Sequence, residues 1–439
     1  MRSLTRALAA VAATAMLAGA CTGGGATPAS ATPGDTPGDT TPTASPVAPS
    51  APAEPVTLTY FTFSAAPDHL EDLDAIVQAF EQKNPNISIE VQTAAYADYF
   101  TKLQTQVAGG SPPDTFELNY ENSVAYASSG ALLDLSPLAA ADPDFDPSVY
   151  YPKAYEVFQA DGKQFGVPEQ FSDVILFYNK DLFDAARVAY PDPSWTWEDE
   201  REAAEKLTDT ANGVWGHYQP IQFFEFYKVL AQNGGTFFNA DQTQSTFNDA
   251  KGVEAAEWLI GKLDKTMPSD AFGPDQDSAL FKSGKLAMWH TGIWLFPSLA
   301  DAPFAWDVSV EPGNVTKAHH FFANAVVASA TTEHPAEAWA WLRFLTSSEE
   351  AVKVRLDASW ELAAVADQSL FEPYLSQTPP DNREAVFDAL ADIVTPPVIE
   401  QQSQMQDIVT QALEKARLGQ MSIPDALDEA ATQVDALLQ

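Results

Sequence analysis

The chain has 439 residues, 45% hydrophobic and 11% aromatic, the composition of a globular body with large cores rather than of a disordered polymer. Its 23 basic and 61 acidic residues leave a formal net charge of -38, which repels both a phosphate backbone and an anionic bilayer surface. Nucleic acid is therefore disfavoured as a partner, the acidity reads as solubility in an external medium, and a lone cysteine rules out an internal disulfide.

In chain order, Arg2 and Arg6 precede an apolar run over residues 8–20, followed by Cys21. This is a positive n-region, an h-region and small residues before a cut site. The run is shorter than the roughly 20 apolar residues a spanning helix needs. The segment "LAGAC" (17–21) resembles the lipobox of bacterial lipoproteins, whose cysteine is acylated and becomes residue one of the mature protein, so residues 1–21 read as a lipoprotein signal region. Leu17 stands one place further from Cys21 than that pattern prefers, with Ala18 in its position. Residues 22–55 are nearly all Thr, Pro, Ala, Ser and Gly, with Asp35, Asp39 and Glu54 as the only charges. Such a stretch buries too little to offset the entropy of ordering, and its prolines keep it extended as a tether. The expectation is a body held at the extracytoplasmic face of the cell membrane by a lipid on Cys21, with diacylation needed for a durable hold.

From residue 56 onward short apolar strands alternate with amphipathic helices, the pattern of an α/β sheet. Residues 56–63 alternate as a first strand, and 70–84 place Leu73, Ile76, Val77 and Phe80 at helical spacing before Pro85. Residues 87–92 form a second strand, 99–107 a helix and 115–119 a third strand. An extended run is expected over 174–178 after Pro168. Residues 279–299 read as helix, Gly turn, short strand and aromatic loop. A strand over 321–329 and a helix over 335–345 follow, the latter with Ala338, Trp341, Leu342 and Leu345 inward. The end of the chain from 398 is mostly helical.

The blocks "AIVQAFEQKNPNISIEVQ", "GGSPPDTFELN", "FGVPEQFSDVILFYNKDLF", "LAQNGGTFFN", "FKSGKLAMWHTGIW" and "NAVVASATTEHPAEAWAWLRFLTSSEEAV" stand in that order. Together they resemble the extracellular solute-binding proteins of ABC sugar importers related to maltose-binding protein. The resemblance implies an α/β fold of the type II periplasmic-binding-protein kind, with two hinged lobes around a central cleft. Lobe 1 would hold residues 56–171 and 322–372, and lobe 2 residues 172–321 and 373–439. The crossings near 170–174 and 321–323 would form the hinge. The implied function is capture of a mono- or oligosaccharide by a monomer, and its delivery to a permease and an ATPase, with no cofactor.

Sugars present CH faces and rings of hydroxyls, so a site needs aromatic platforms with carboxylates and amides around them. Such residues gather in loops at the carboxyl ends of strands. Ser64 follows the first strand; Tyr96 and Asp98 follow the second; Asn119, Tyr120 and Glu121 close the third. Each also reads as an ordinary solvated loop residue. Thr291, Gly292 and Trp294 belong to the densest aromatic–polar cluster, and Trp294 matches the aromatic that stacks on sugar in the family. A Trp among Ile293, Leu295 and Phe296 equally reads as core, and Trp289, on the strand itself, reads as core. By the same resemblance Trp360 and Phe224 are candidate platforms. Gln170 and Asp173, at the crossing, read either as ligand groups or as hinge hydrogen bonds. The stretch 401–407 holds no aromatic where the family tends to bring one, which points to a smaller or more polar ligand than a maltodextrin.

Catalysis finds no support: G-x-S-x-G, H-E-x-x-H, C-x-x-C and G-x-x-x-x-G-K-[ST] are all missing from the sequence. His319 and His320 are neighbours and read as bland strand or surface residues. Asp142, Asp144 and Asp146 imitate a calcium loop, but Pro147 and Lys153 occupy its turn and bidentate positions, so no metal is expected. Asn314-Val315-Thr316 is a chance sequon. The rival readings are a secreted glycoside hydrolase, which would need two carboxyls flanking one bond, and a binding protein for a polyol or amine, with Asp98, Glu121 or Asp173 as counter-charges.

Overall fold

The structure, a computed structural model, describes residues 54–65, 69–269 and 276–439. The signal-like segment, Cys21 and all of the tether but its last two residues lie outside them. Strand β1 (Val56–Thr62) pairs in parallel with β2 (Ile87–Thr93) on one side and with β3 (Thr115–Asn119) on the other. Between β1 and β2, helix α1 (Leu70–Lys83) buries Leu73, Ile76, Val77 and Phe80, three and four residues apart and therefore on one face. It ends before Pro85, whose ring disfavours helical backbone at Asn84. Helix α2 (Tyr96–Ala108) starts three residues before the expected position. The extra residues, Tyr96 to Asp98, are all exposed and leave no apolar periodicity to read.

The centre of the molecule is β4 (Gly166–Asn179), buried along its whole length. Its first part pairs antiparallel with β8 (His319–Ala328), up to Asp173 opposite Phe321. From Val174 onward it pairs instead with β6 (Leu286–Gly292) and β7 (Trp306–Ser309). Strand β5 (Trp215–Tyr218) lies parallel to β6, so the path runs β2-β1-β3-β8-β4-β6-β5. The two ends of that path carry different cores. One gathers Leu58, Phe80, Trp341 and Leu342; the other gathers Phe177, Phe226, Trp289 and Trp306. In the first, helix α6 (Pro335–Ser347) buries Ala338, Trp341, Leu342 and Leu345, the four predicted residues. Trp341 meets Tyr60 and Phe80 edge-on at 5.5 and 5.1 Å.

Candidate functional site

Because β1 and β3 are parallel neighbours, their carboxyl ends emerge together, as in open α/β sheets where ligands bind at strand ends. Glu117, buried on β3, organises that end. Its carboxylate accepts from Thr62 Oγ1 (2.6 Å), the Phe63 and Ser64 amides (3.2 and 3.1 Å) and Gln170 Nε2 (3.0 Å). These bonds fix the turn that presents Ser64. The other amide atom of Gln170 accepts from Arg355, on helix α7 (Glu349–Asp357), which also pairs with Glu169. At the end of β3, Asn119 donates to the Tyr96 hydroxyl at 3.2 Å.

A cavity of about 550 Å³ opens beside these ends. One wall comprises Phe63, Ser64, Tyr96, Asn119, Glu121 and Glu361. Facing residues are Phe224 and Glu225 of helix α5 (Phe223–Gln232), His290 and Thr291 of β6, and Trp294. The floor comes from the crossing strands, with Ser172 and Val174 on β4 and His320, Phe322 and Asn324 on β8. Trp294 is 40% exposed and Tyr96 49%, unusual for rings of this size. Phe322 ties the far rings together, edge-on to Phe224 at 5.7 Å and to Trp294 at 6.0 Å.

Behind the far wall lies a fully buried charge network. Glu200, on helix α4 (Trp197–Leu207), accepts from His217 and His290, both at 3.0 Å, and faces Lys262 at 3.3 Å. His290 Nδ1 donates to Glu311 at 2.6 Å, and Lys228 bridges Glu311 (2.6 Å) and Glu225 (2.8 Å). His320 is held between the Tyr227 hydroxyl (2.8 Å) and Glu225 (3.2 Å). Burial alone would neutralise these groups, and the pairing overrides it for several. Lys262 and His290 hold Glu200 well below the usual carboxylate range. Lys228, with His320, holds Glu225 low. Glu200 and Glu311 raise His290, making it an imidazolium whose two N–H groups are both committed.

His217 and His319 behave oppositely: burial pushes each down to about 4. A histidine depressed in the folded state binds fewer protons than in the unfolded chain, so its contribution is complete above about 6.5. It is lost as pH falls towards 4, and for His217 it is on the order of 3 kcal/mol. Glu200 and Glu225 add the same sign below the ordinary carboxylate pKa of about 4.3. His290 opposes them, since its contribution fades as pH rises through its raised value. The raised carboxyls act against this loss: burial lifts Glu121 to about 7 and Glu169 to about 8, so each adds stability as pH falls from that value towards about 4.3. The histidine share is therefore read by difference: lowering the pH from 7 to 4 is expected to cost the His217→Gln variant less stability than the native protein, by about 3 kcal/mol, measured by urea denaturation at both values. Equal pH dependence in the two would show that His217 titrates as it does in the unfolded chain.

Of the sequence candidates, Trp294, Phe224, Tyr96, Asn119, Glu121, Thr291 and Ser64 come together around the cavity. The others do not line it. Trp360 is buried, its indole N–H donating to the Ser64 carbonyl at 3.0 Å and its ring sandwiched between His69 (5.0 Å) and the Arg355 guanidinium (4.1 Å). It is a packing residue, and the cavity residue of its loop is Glu361. Asp98 points into solvent on α2, 3.7 Å from Lys102. Tyr120, on helix α3 (Tyr120–Ser128), packs edge-on against Phe158 at 6.5 Å. Gln170 is buried and spent on Glu117 and Arg355. Asp173 is buried off the wall, both carboxyl oxygens without a partner among the described residues, and burial with nearby Glu311 pushes its pKa well up. Gly292 contributes backbone under the Trp294 ring. His319 and His320 are strand residues as expected but buried, not surface, and His320 lines the cavity.

A family model described as bacterial extracellular solute-binding protein matches residues 66–352. An ABC substrate-binding protein from Listeria monocytogenes, solved in complex with cycloalternan, is 47% identical and superposes with a TM-score of 0.84. The match covers 87% of this chain and 99% of that one. The maltodextrin-binding protein of Bacillus subtilis is 24% identical over 66% of this chain and 70% of its own length. An uncharacterized lipoprotein of Streptomyces antibioticus is 26% identical over 74% of each.

Proposed function

This chain belongs to the bacterial extracellular solute-binding proteins that serve family 1 sugar ABC importers, and we propose that it captures an oligosaccharide of the cycloalternan class between its two lobes. The observation that carries the reading is the cavity: about 550 Å³, lined by the exposed rings of Tyr96 and Trp294 together with carboxyl, amide and hydroxyl groups. That volume lies in the range of about 300–1,000 Å³ expected for ligand pockets. The relative at 47% identity supports the choice of sugar. Ring faces would take the CH surfaces, and Ser64, Asn119, Glu121 and Thr291 would take hydroxyls.

The lobes divide at residues 56–171 and 322–372 against 172–321 and 373–439. The exchange of β4 from β8 to β6 at Val174 supports a hinge there. Closure around the ligand does the work through the affinity difference between open and closed forms, and the sugar leaves unaltered for a permease and its ATPase. Cys21 carries a lipid and residues 22–55 tether a monomeric body to the outer face of the membrane. The lipoprotein name of one relative supports that placement.

A thermal-shift panel of cycloalternan, maltotetraose, mannotriose, a polyol and a polyamine tests the reading. Ligand at 100 times Kd is expected to add about 2.7 kcal/mol to stability, seen as a raised Tm. A shift with the polyol or polyamine alone, or cleavage of the oligosaccharide during incubation, would replace it.

A further inference from the structure

We infer that Glu361, together with Glu121, forms a pair of carboxyl anchors reading the ligand's hydroxyls, an inference that rests on the carbohydrate reading above. Both residues line the cavity, and each has a buried Oε2 with no hydrogen-bond partner among the described residues. Glu117, Glu169 and Glu225 nearby each meet protein donors, although Glu169 keeps one oxygen without a partner among the described residues. Glu117 has four donors, and Glu225 is shared by Lys228, His320 and Gln219. Asp173 also lacks partners but lies off the wall. Among the described residues no lysine or arginine lines the cavity; the imidazolium there, His290, has both N–H groups committed to Glu200 and Glu311, and Arg355, near Glu361, is spent on Glu169 and Gln170.

A buried polar group without a partner costs the empty protein stability, and a ligand that completes its bonds explains why it is kept. The chemistry favours hydroxyls over an ammonium. Burial pushes Glu121 up to about 7, and burial with nearby Glu117 pushes Glu361 well above the usual range. A protonated carboxyl offers one donor beside its acceptors, as a sugar hydroxyl does, whereas an ammonium only donates. The Tyr96 and Phe63 rings, edge-on at 5.2 Å, share the wall, so apolar and hydroxyl faces of one sugar are met together.

The test is calorimetric titration of the full chain with cycloalternan, alongside thermal melts of the empty protein. Glu361→Ala is expected to weaken Kd by about tenfold or more, while the Tm without ligand stays equal or rises because an unpartnered carboxyl has gone. Glu361→Gln preserves shape and packing, so it reports on binding even if the alanine variant folds poorly, and it is expected to lose several-fold affinity. Glu121→Ala should repeat the alanine result. Wild type binding with both Glu361 variants unchanged within twofold overturns the anchors and leaves the carbohydrate reading intact. A lower Tm with unchanged affinity would also overturn them, as a structural role. Wild type binding no sugar of the panel overturns the carbohydrate reading and the anchors with it.

Discussion

Replacing Lys228 by methionine is expected to destabilise the protein by about 3–5 kcal/mol, the penalty for removing one partner from a buried ion pair. Lys228 is wholly buried on α5, with its ammonium 2.6 Å from Glu311 and 2.8 Å from Glu225. Burial opposes its charge, yet the two carboxylates outweigh it and hold its pKa above the ordinary lysine value. Methionine nearly preserves the stem, so the loss is charge rather than volume. Glu225 then keeps only neutral Gln219 and His320, and Glu311 keeps His290. The comparison that isolates burial is Lys83→Met. Lys83 also sits 2.6 Å from a carboxylate, Glu350, but both side chains are largely in water. That exposed pair should be worth about 1 kcal/mol or less. Urea denaturation of both variants gives the two numbers. Equal losses would mean that desolvation does not set the strength of the central network.

Which parts of this molecule show in its sequence follows from where apolar periodicity survives. α1 and α6 carry their buried residues at helical spacing, so both were legible. The strand at 174–178 was legible as well, because those residues are uniformly apolar. Its continuation back to Gly166 was hidden by Glu169, Gln170 and Asp173, polar residues that interrupt the apolar run; the first two are accommodated in the buried strand by Arg355 and Glu117. Trp360 was misplaced for a related reason. In an irregular loop neither a two- nor a 3.6-residue period says which neighbour faces the cavity, and here it is Glu361. The cavity residues of β8 did leave a signal. His320, Phe322 and Asn324 alternate with period two and so share a strand face, a pattern that outweighs the adjacency of His319 and His320. The charge network was not legible, since Glu200, Lys228, Lys262, His290 and Glu311 come from five separate segments.

Removing the proposed platform, by Trp294→Ala, should weaken oligosaccharide binding by about 2 kcal/mol, roughly thirtyfold, with little change in stability. The ring is 40% exposed, so the empty fold gains little from its burial, and its contact with Phe322 at 6.0 Å is an edge interaction at the cavity floor. The same platform can be displaced without being deleted. A Cβ on Gly292 would overlap the six-membered ring of Trp294. The backbone at Gly292 is extended, with φ -91° and ψ 156°, a conformation any residue adopts, so alanine there meets no strain of its own. What must give way is the free end of a side chain held on the short turn Ile293–Leu295. Gly292→Ala is therefore expected to lower affinity several-fold while the Tm stays within a degree or two, and calorimetry with parallel melts reads both. Should Gly292→Ala bind as wild type while Trp294→Ala does not, the indole tolerates displacement and acts as apolar cover rather than as an oriented stacking face. Should both bind as wild type, the sugar does not rest on Trp294.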